Sequence, residues 1–230
     1  MRDDLKRALR LIAITDDLRD GLDGLASRAA AAVRGGATMV QVRLKSADAR
    51  LLAEVTRRLV QSLAVPVLVN DRADVALAAG AAGVHVGADD LPVEAIRRLA
   101  PAGFIIGASL GSDAEAENVK GADYVGIGPV YATQSKGDAG TAIGPQGFSR
   151  LRSLTGAPCV GIGGITRENA RAVILAGASG VAVIASVFGA ADAEIAARAL
   201  RGAIDQDADQ DADQDADQDA DQDADRATDR

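Results

Sequence analysis

Short apolar runs rich in Val and Ile alternate along this chain with longer stretches of Ala, Leu and Arg that carry helical spacing. The alternation runs through eight rounds. It predicts strands over 11–15, 39–44, 67–70, 83–86, 105–109, 124–128, 159–163 and 181–184, with helices over 22–34, 48–63, 93–100, 168–176 and 192–203 among the segments between them. The phrases RGGAT, AAGAAGVHV, KGADYV and LAGASGVAV put glycine where a helix should stop and a strand begin. Strands this continuously apolar are covered on both faces, so the pattern predicts one closed parallel (β/α)8 TIM barrel. An open doubly wound sheet is the alternative. It lacks the GxGxxG turn into the first helix that such sheets use for dinucleotides.

Length and charge sharpen this. The 230 residues suit one barrel of about 200–250 residues. The net charge of −8 is misleading, because residues 205–230 hold 12 Asp against 2 Arg, a net of −10. Residues 1–204 carry 23 Lys and Arg against 21 Asp and Glu, a net of +2. From 205 to 224 the chain is five copies of Asp-Gln-Asp-Ala, which offer too little apolar surface to offset the cost of ordering. A disordered tail, 205–230, is therefore expected after a barrel domain, 1–204. Its DxDxD spacing lacks the glycine turn and terminal Glu of an EF-hand calcium loop. A near-neutral body with three Phe, two Tyr and no Trp argues against nucleic acid as a partner. The lone Cys159, in an apolar run, provides no disulfide and points to a reducing compartment. The charged start and the interruption at Asp16 and Asp17 fit neither a signal peptide nor a membrane span, so a cytoplasmic protein is expected. Association into a homo-oligomer stays open.

Barrel chemistry sits at the C-terminal strand ends. In QVRLK, Gln41, Arg43 and Lys45 alternate on one side of the pleat, where an amide and two cations suit a phosphate or diphosphate. VLVNDR ends in Asn70 and Asp71, and GVHVGADDLP places Asp90 past the fourth strand. Two carboxylates beside a diphosphate suit Mg2+, although Asp90 could instead cap the helix after Pro92. His85 reads equally as a general base or as a hydrogen-bonded core residue. Ser109 closes the fifth strand, and the long loop after the sixth carries Thr133, Ser135 and Lys136, the last suited to neutralising a leaving anion. Gly163 and Gly164 in GIGGI, with Ile184, Ala185 and Ser186 in VAVIAS, match the backbone phosphate cradle common after the last two barrel strands. Two anion sites across one mouth suggest a transferase with two phosphorylated substrates.

Taken together and in this order, QVRLK, VNDRADVAL with GVHVGADDLP, GIGPVYATQSK and IGGI resemble the thiamine phosphate synthase family over residues 9–203. The resemblance implies condensation of a pyrimidine diphosphate with a thiazole phosphate, releasing pyrophosphate, with Mg2+ as cofactor. It implies that Arg43, Lys45, Asn70, Ser109 and Lys136 bind the diphosphate, Arg43, Ser109 and Lys136 being the catalytic set. Asp71 and Asp90 would hold the metal, and Gln41 would approach the pyrimidine. Thr133 and Ser135 would place the thiazole phosphate, whose phosphate would rest on Gly164, Ile184 and Ala185. It also implies a dissociative reaction in which pyrophosphate leaves before the thiazole nitrogen attacks. The chain departs from the family pattern at Leu110-Gly111, at Ser135, and in the order Ala185-Ser186. Rival expectations are a thiazole tautomerase, a non-catalytic thiamine-phosphate binder, and a sugar-phosphate isomerase or epimerase.

Overall fold

The computed structural model describes residues 2–133 and 140–206. Its eight strands are β1 (Leu11–Ile14), β2 (Met39–Val42), β3 (Val67–Asn70), β4 (Gly83–Val86), β5 (Ile105–Leu110), β6 (Tyr124–Ile127), β7 (Cys159–Ile162) and β8 (Gly180–Val183). Each pairs in parallel with the next, and β8 closes on β1 through Leu11↔Val181 and Ile12↔Ala182, completing the barrel. The helices are α1 (Arg2–Ala8), α2 (Gly21–Arg34), α3 (Ala49–Ser62), α4 (Ala73–Ala79), α5 (Val93–Leu99), α6 (Gly144–Arg152), α7 (Ala170–Leu175), α8 (Ala185–Phe188) and α9 (Ala193–Asp205). Between β5 and β6 a 3-10 turn, Asp113–Glu115, takes the place of a full helix.

The period-2 alternation of side chains sorts each strand between two cores. Leu11, Ala13, Val40, Val42, Val67, Val69 and their counterparts pack outward under the helices. Ile12, Ile14, Met39, Leu68, Tyr124, Val160 and Ala182 point inward and fill the barrel. Leu5 and Ala8 of α1 pack against this inner cluster beside the fully buried Leu9, so α1 covers the N-terminal mouth. Two apolar positions in a seven-residue helix are too few for periodicity to reveal, and nothing in the sequence pattern marks α1. The glycine stops appear as expected: Gly80 after α4 and Gly177 after α7 take φ of 71° and 96°, a region costly for residues with a Cβ.

Strands β1, β6 and β7 end one residue before the predicted bound, and β2 ends two before it. β2 ends at Val42 instead of 44, so Gln41 lies on the strand while Arg43 and Lys45 lie beyond it. Thr15, fully buried at the end of β1, replaces the lost pairing. Its hydroxyl accepts from Arg43 N at 2.8 Å and donates to Arg43 O at 3.1 Å.

At the other end of the fold α9 returns to the N-terminal face. There the Asp205 carboxylate accepts from Arg10 Nε at 2.8 Å and from Arg201 Nε and Nη2 at 3.0 and 2.7 Å. Partial burial raises the Asp205 pKa, but the hydrogen bonds and charges of Arg10 and Arg201 outweigh it and hold the carboxyl below its ordinary 3.8. A depressed carboxyl stabilises the fold above the unfolded-state pKa and loses that contribution as pH falls through the folded value. With the side chain 40% exposed, the clamp contributes about 0.5–1 kcal/mol. Asp205→Asn should therefore melt about 1–3 °C lower at pH 7 and match the unchanged protein near pH 2, as followed by calorimetry at both pH values.

Candidate active site

A 480 Å3 cavity opens at the C-terminal ends of β5 to β8. Seven of the residues singled out from sequence line it: Ser109, Thr133, Gly163, Gly164, Ile184, Ala185 and Ser186. Gly163 and Gly164 follow β7 with φ of 94° and 62°. A Cβ on Gly164 would lie 2.5 Å from Ala132 O, and one on Gly163 would lie 2.6 Å from Pro129 Cβ. The glycines thus serve chain reversal and the close approach of the β6 loop as well as any ligand. The Gly163 carbonyl accepts from Tyr131 N at 3.0 Å, and the Gly164 carbonyl accepts from Asn169 Nδ2 at 3.0 Å. In a trans peptide the following N–H points the opposite way, so the N–H groups of Gly164 and Ile165 are turned from those partners.

After β8 the chain makes the single turn α8. Ser186 Oγ donates to Ile165 O at 2.5 Å, and Arg19, held 3.0 Å from Asp16, donates to Phe188 O at 2.5 Å. The reversed Ala185-Ser186 order has a physical consequence here: the serine hydroxyl braces the β7 loop, while position 185 offers only backbone.

Gln41, Arg43, Lys45, Asn70, Asp71 and Asp90 occupy the neighbouring tips of β2 to β4 and do not line this cavity. Gln41 is buried, Arg43 and Asn70 are half-buried, and Lys45 is exposed. Neither the Arg43 guanidinium nor the Lys45 ammonium has an ion-pair partner among the described residues, unlike Arg10, Arg19, Arg28 and Arg97. Asp71 holds a left-handed φ of 64°, the one non-glycine described residue to do so. Its N–H donates to His85 O at 2.7 Å, which fixes it over the β3–β4 seam. Asp90 does not cap α5, whose cap position is Pro92; its Oδ2 instead accepts from Gly87 N at 2.7 Å. Two carboxylates on adjacent strand tips fit the hard oxygen donors that Mg2+ takes alongside waters and substrate oxygens. Among the described residues no cluster of three or more His, Cys, Asp and Glu forms a closed cage.

Between the two halves lies a polar line that the sequence only half disclosed. His85, 8% exposed, contacts Tyr124 Oη through Nδ1 and Ser109 Oγ through Nε2, each at 3.0 Å. Burial raises the pKa of the same phenol, and the Gln41 side chain nearby lowers it to a lesser degree. Tyr124 was not among the sequence candidates. Its signal was the glycine on the paired strand: a Cβ on Gly107 would lie 2.3 Å from the Tyr124 ring and 2.6 Å from His85 Nδ1. Glu115, also unforeseen, reaches the cavity wall and accepts from Gly111 N at 2.8 Å and Ser112 Oγ at 3.1 Å. It occupies the segment where the family pattern is broken. Ser135 and Lys136 lie outside the described residues, as does the tail from 207.

The family model for thiamine monophosphate synthase matches residues 11–187, spanning all the strand tips described above. The thiamine-phosphate synthase of Azorhizobium caulinodans is 46% identical over 202 residues, covering 86% of this chain and 95% of that protein. That of Moorella thermoacetica is 48% identical over 175 residues, covering 74% and 83%. Among solved structures, a thiamine phosphate pyrophosphorylase from Pyrococcus furiosus superimposes with a TM-score of 0.78 at 39% identity, covering 88% of this chain and 98% of its own. By sequence and by barrel alike, this chain belongs to the thiamine monophosphate synthase family.

Proposed function

We propose that the chain condenses a hydroxymethylpyrimidine diphosphate with a thiazole phosphate to give thiamine phosphate and pyrophosphate in thiamine biosynthesis. The observation that carries this beyond family membership is the pairing of the glycine-lined cavity with the uncompensated Arg43 and Lys45 beside two carboxylates at one barrel mouth. Two anion-binding regions at one barrel mouth suit a reaction that needs charge neutralisation and positioning. In this reading Arg43, Lys45, Asn70, Ser109 and Lys136 hold the diphosphate and favour its departure. Gln41 orients the pyrimidine, and Thr133 and Ser135 place the thiazole, whose phosphate sits on the backbone of Gly163, Gly164, Ile184 and Ala185. Asp71 and Asp90 would hold Mg2+, which when bound spreads the charge of the leaving group. The bond to pyrophosphate breaks first, and the thiazole nitrogen then donates its lone pair to the pyrimidine methylene cation.

Cys159 is buried, and burial pushes its thiol up to about 11, so the sulfur stays protonated and unreactive. With no described helix long and apolar enough to cross a membrane, we read the protein as a cytoplasmic enzyme on small molecules. The barrel domain includes Asp205, the last residue of α9, because its carboxylate braces Arg10. Incubation with both substrates and Mg2+ should release pyrophosphate, and product formation should need both. Thiazole isomerisation without pyrophosphate release would favour a tautomerase instead. The chain cut after Gln206 should turn over within twofold of the full chain in the same assay; a larger loss would give the acidic tail a part in catalysis.

A further inference from the structure

Tyr124 on β6, His85 on β4 and Ser109 on β5 form one hydrogen-bonded line across the barrel interior, ending at the cavity wall. Each link has a direction that elementary chemistry fixes. Tyr124 is 1% exposed, and burial raises its pKa, so the phenol keeps its proton. Among the described residues His85 Nδ1 is the one hydrogen-bond partner of the phenol, and a buried O–H left without an acceptor would cost about 1–3 kcal/mol. The single phenol proton then has His85 Nδ1 as its acceptor, 3.0 Å away. A neutral imidazole that accepts at Nδ1 carries its own proton on Nε2. Nε2 lies 3.0 Å from Ser109 Oγ, so the serine oxygen is the acceptor at that contact.

We infer that His85 is a positioning residue held as the Nε2–H tautomer, which leaves the Ser109 hydroxyl proton to be donated to an anionic oxygen in the cavity. No other hydrogen bond of the Ser109 hydroxyl is seen among the described residues. A serine facing a histidine can otherwise turn its proton inward, and would then present only lone pairs to a phosphate. The polarity of the line excludes that. Identifying the anion as the pyrimidine diphosphate rests on the function proposed above; the tautomer itself does not.

His85 is the only histidine in the chain, so protein labelled with 15N histidine gives one pair of ring nitrogen signals. The full chain should show Nε2 protonated and Nδ1 unprotonated at neutral pH. Tyr124→Phe removes the phenol and should shift the protonation toward Nδ1. It should also weaken inorganic pyrophosphate binding with Mg2+ about tenfold and raise KM for the pyrimidine diphosphate by a similar factor, with KM for the thiazole phosphate within twofold. An Nδ1–H or doubly protonated ring in the unchanged protein would overturn the inference, as would a Tyr124→Phe variant that shifts both KM values equally. If the spectrum agrees but no thiamine phosphate is made, the function fails while the tautomer stands.

Discussion

Asp71→Asn should lower kcat/KM for the pyrimidine diphosphate by about 10³-fold, close to 4 kcal/mol of lost transition-state stabilisation. Asparagine is the substitution of choice because position 71 sits at φ 64°, where Asn is tolerated and Ala would add backbone strain. The N–H that donates to His85 O is retained, so the β3–β4 seam should persist and the melting temperature should stay within about 2 °C. Only the charge is lost. Calorimetric titration with Mg2+ in the presence of pyrophosphate should show affinity reduced at least tenfold. Unchanged Mg2+ affinity with near-normal turnover would remove Asp71 from the metal assignment and leave Asp90 to be explained as a turn-bracing residue.

Gly107→Ala is the substitution with the largest expected effect on the fold. The new methyl would stand 2.3 Å from Cε1 and Cζ of Tyr124, and neither ring has room to retreat. Tyr124 is 1% exposed and packed in the inner cluster with Met39, Leu68 and Val160. Overpacking of this kind costs about 1–3 kcal/mol, which for a barrel of this size lowers the melting temperature by about 3–10 °C. The same displacement would break the His85–Tyr124 contact, so pyrimidine diphosphate binding should weaken in whatever folded protein remains. A variant that melts normally would mean that the inner layer can rearrange, and that the glycines at 107 and 126 are not what seats the histidine.

Most of the architecture was legible because strand and helix periods differ. Residues such as Val67 to Val69 and Ile105 to Ala108 are apolar on both faces, which only a doubly covered parallel strand requires. Strand-tip chemistry was legible for the same reason: once the strands are placed, Asn70, Ser109, Gly163 and Gly164 fall at their ends. What sequence could not supply was anything set by contact between distant segments. The early end of β2 depends on Thr15 taking over the backbone of Arg43 from another strand. The commitment of Ser186 to Ile165, and of Asp90 to Gly87, depends on loop geometry that no spacing rule encodes. Tyr124 looked like one more apolar strand residue until the fold set its hydroxyl against His85. A sequence period records which face a side chain takes, a property local to its strand. Its hydrogen-bond partner is chosen by closure of the barrel, which brings residues from all eight strands into one interior, and only the tertiary structure decides that.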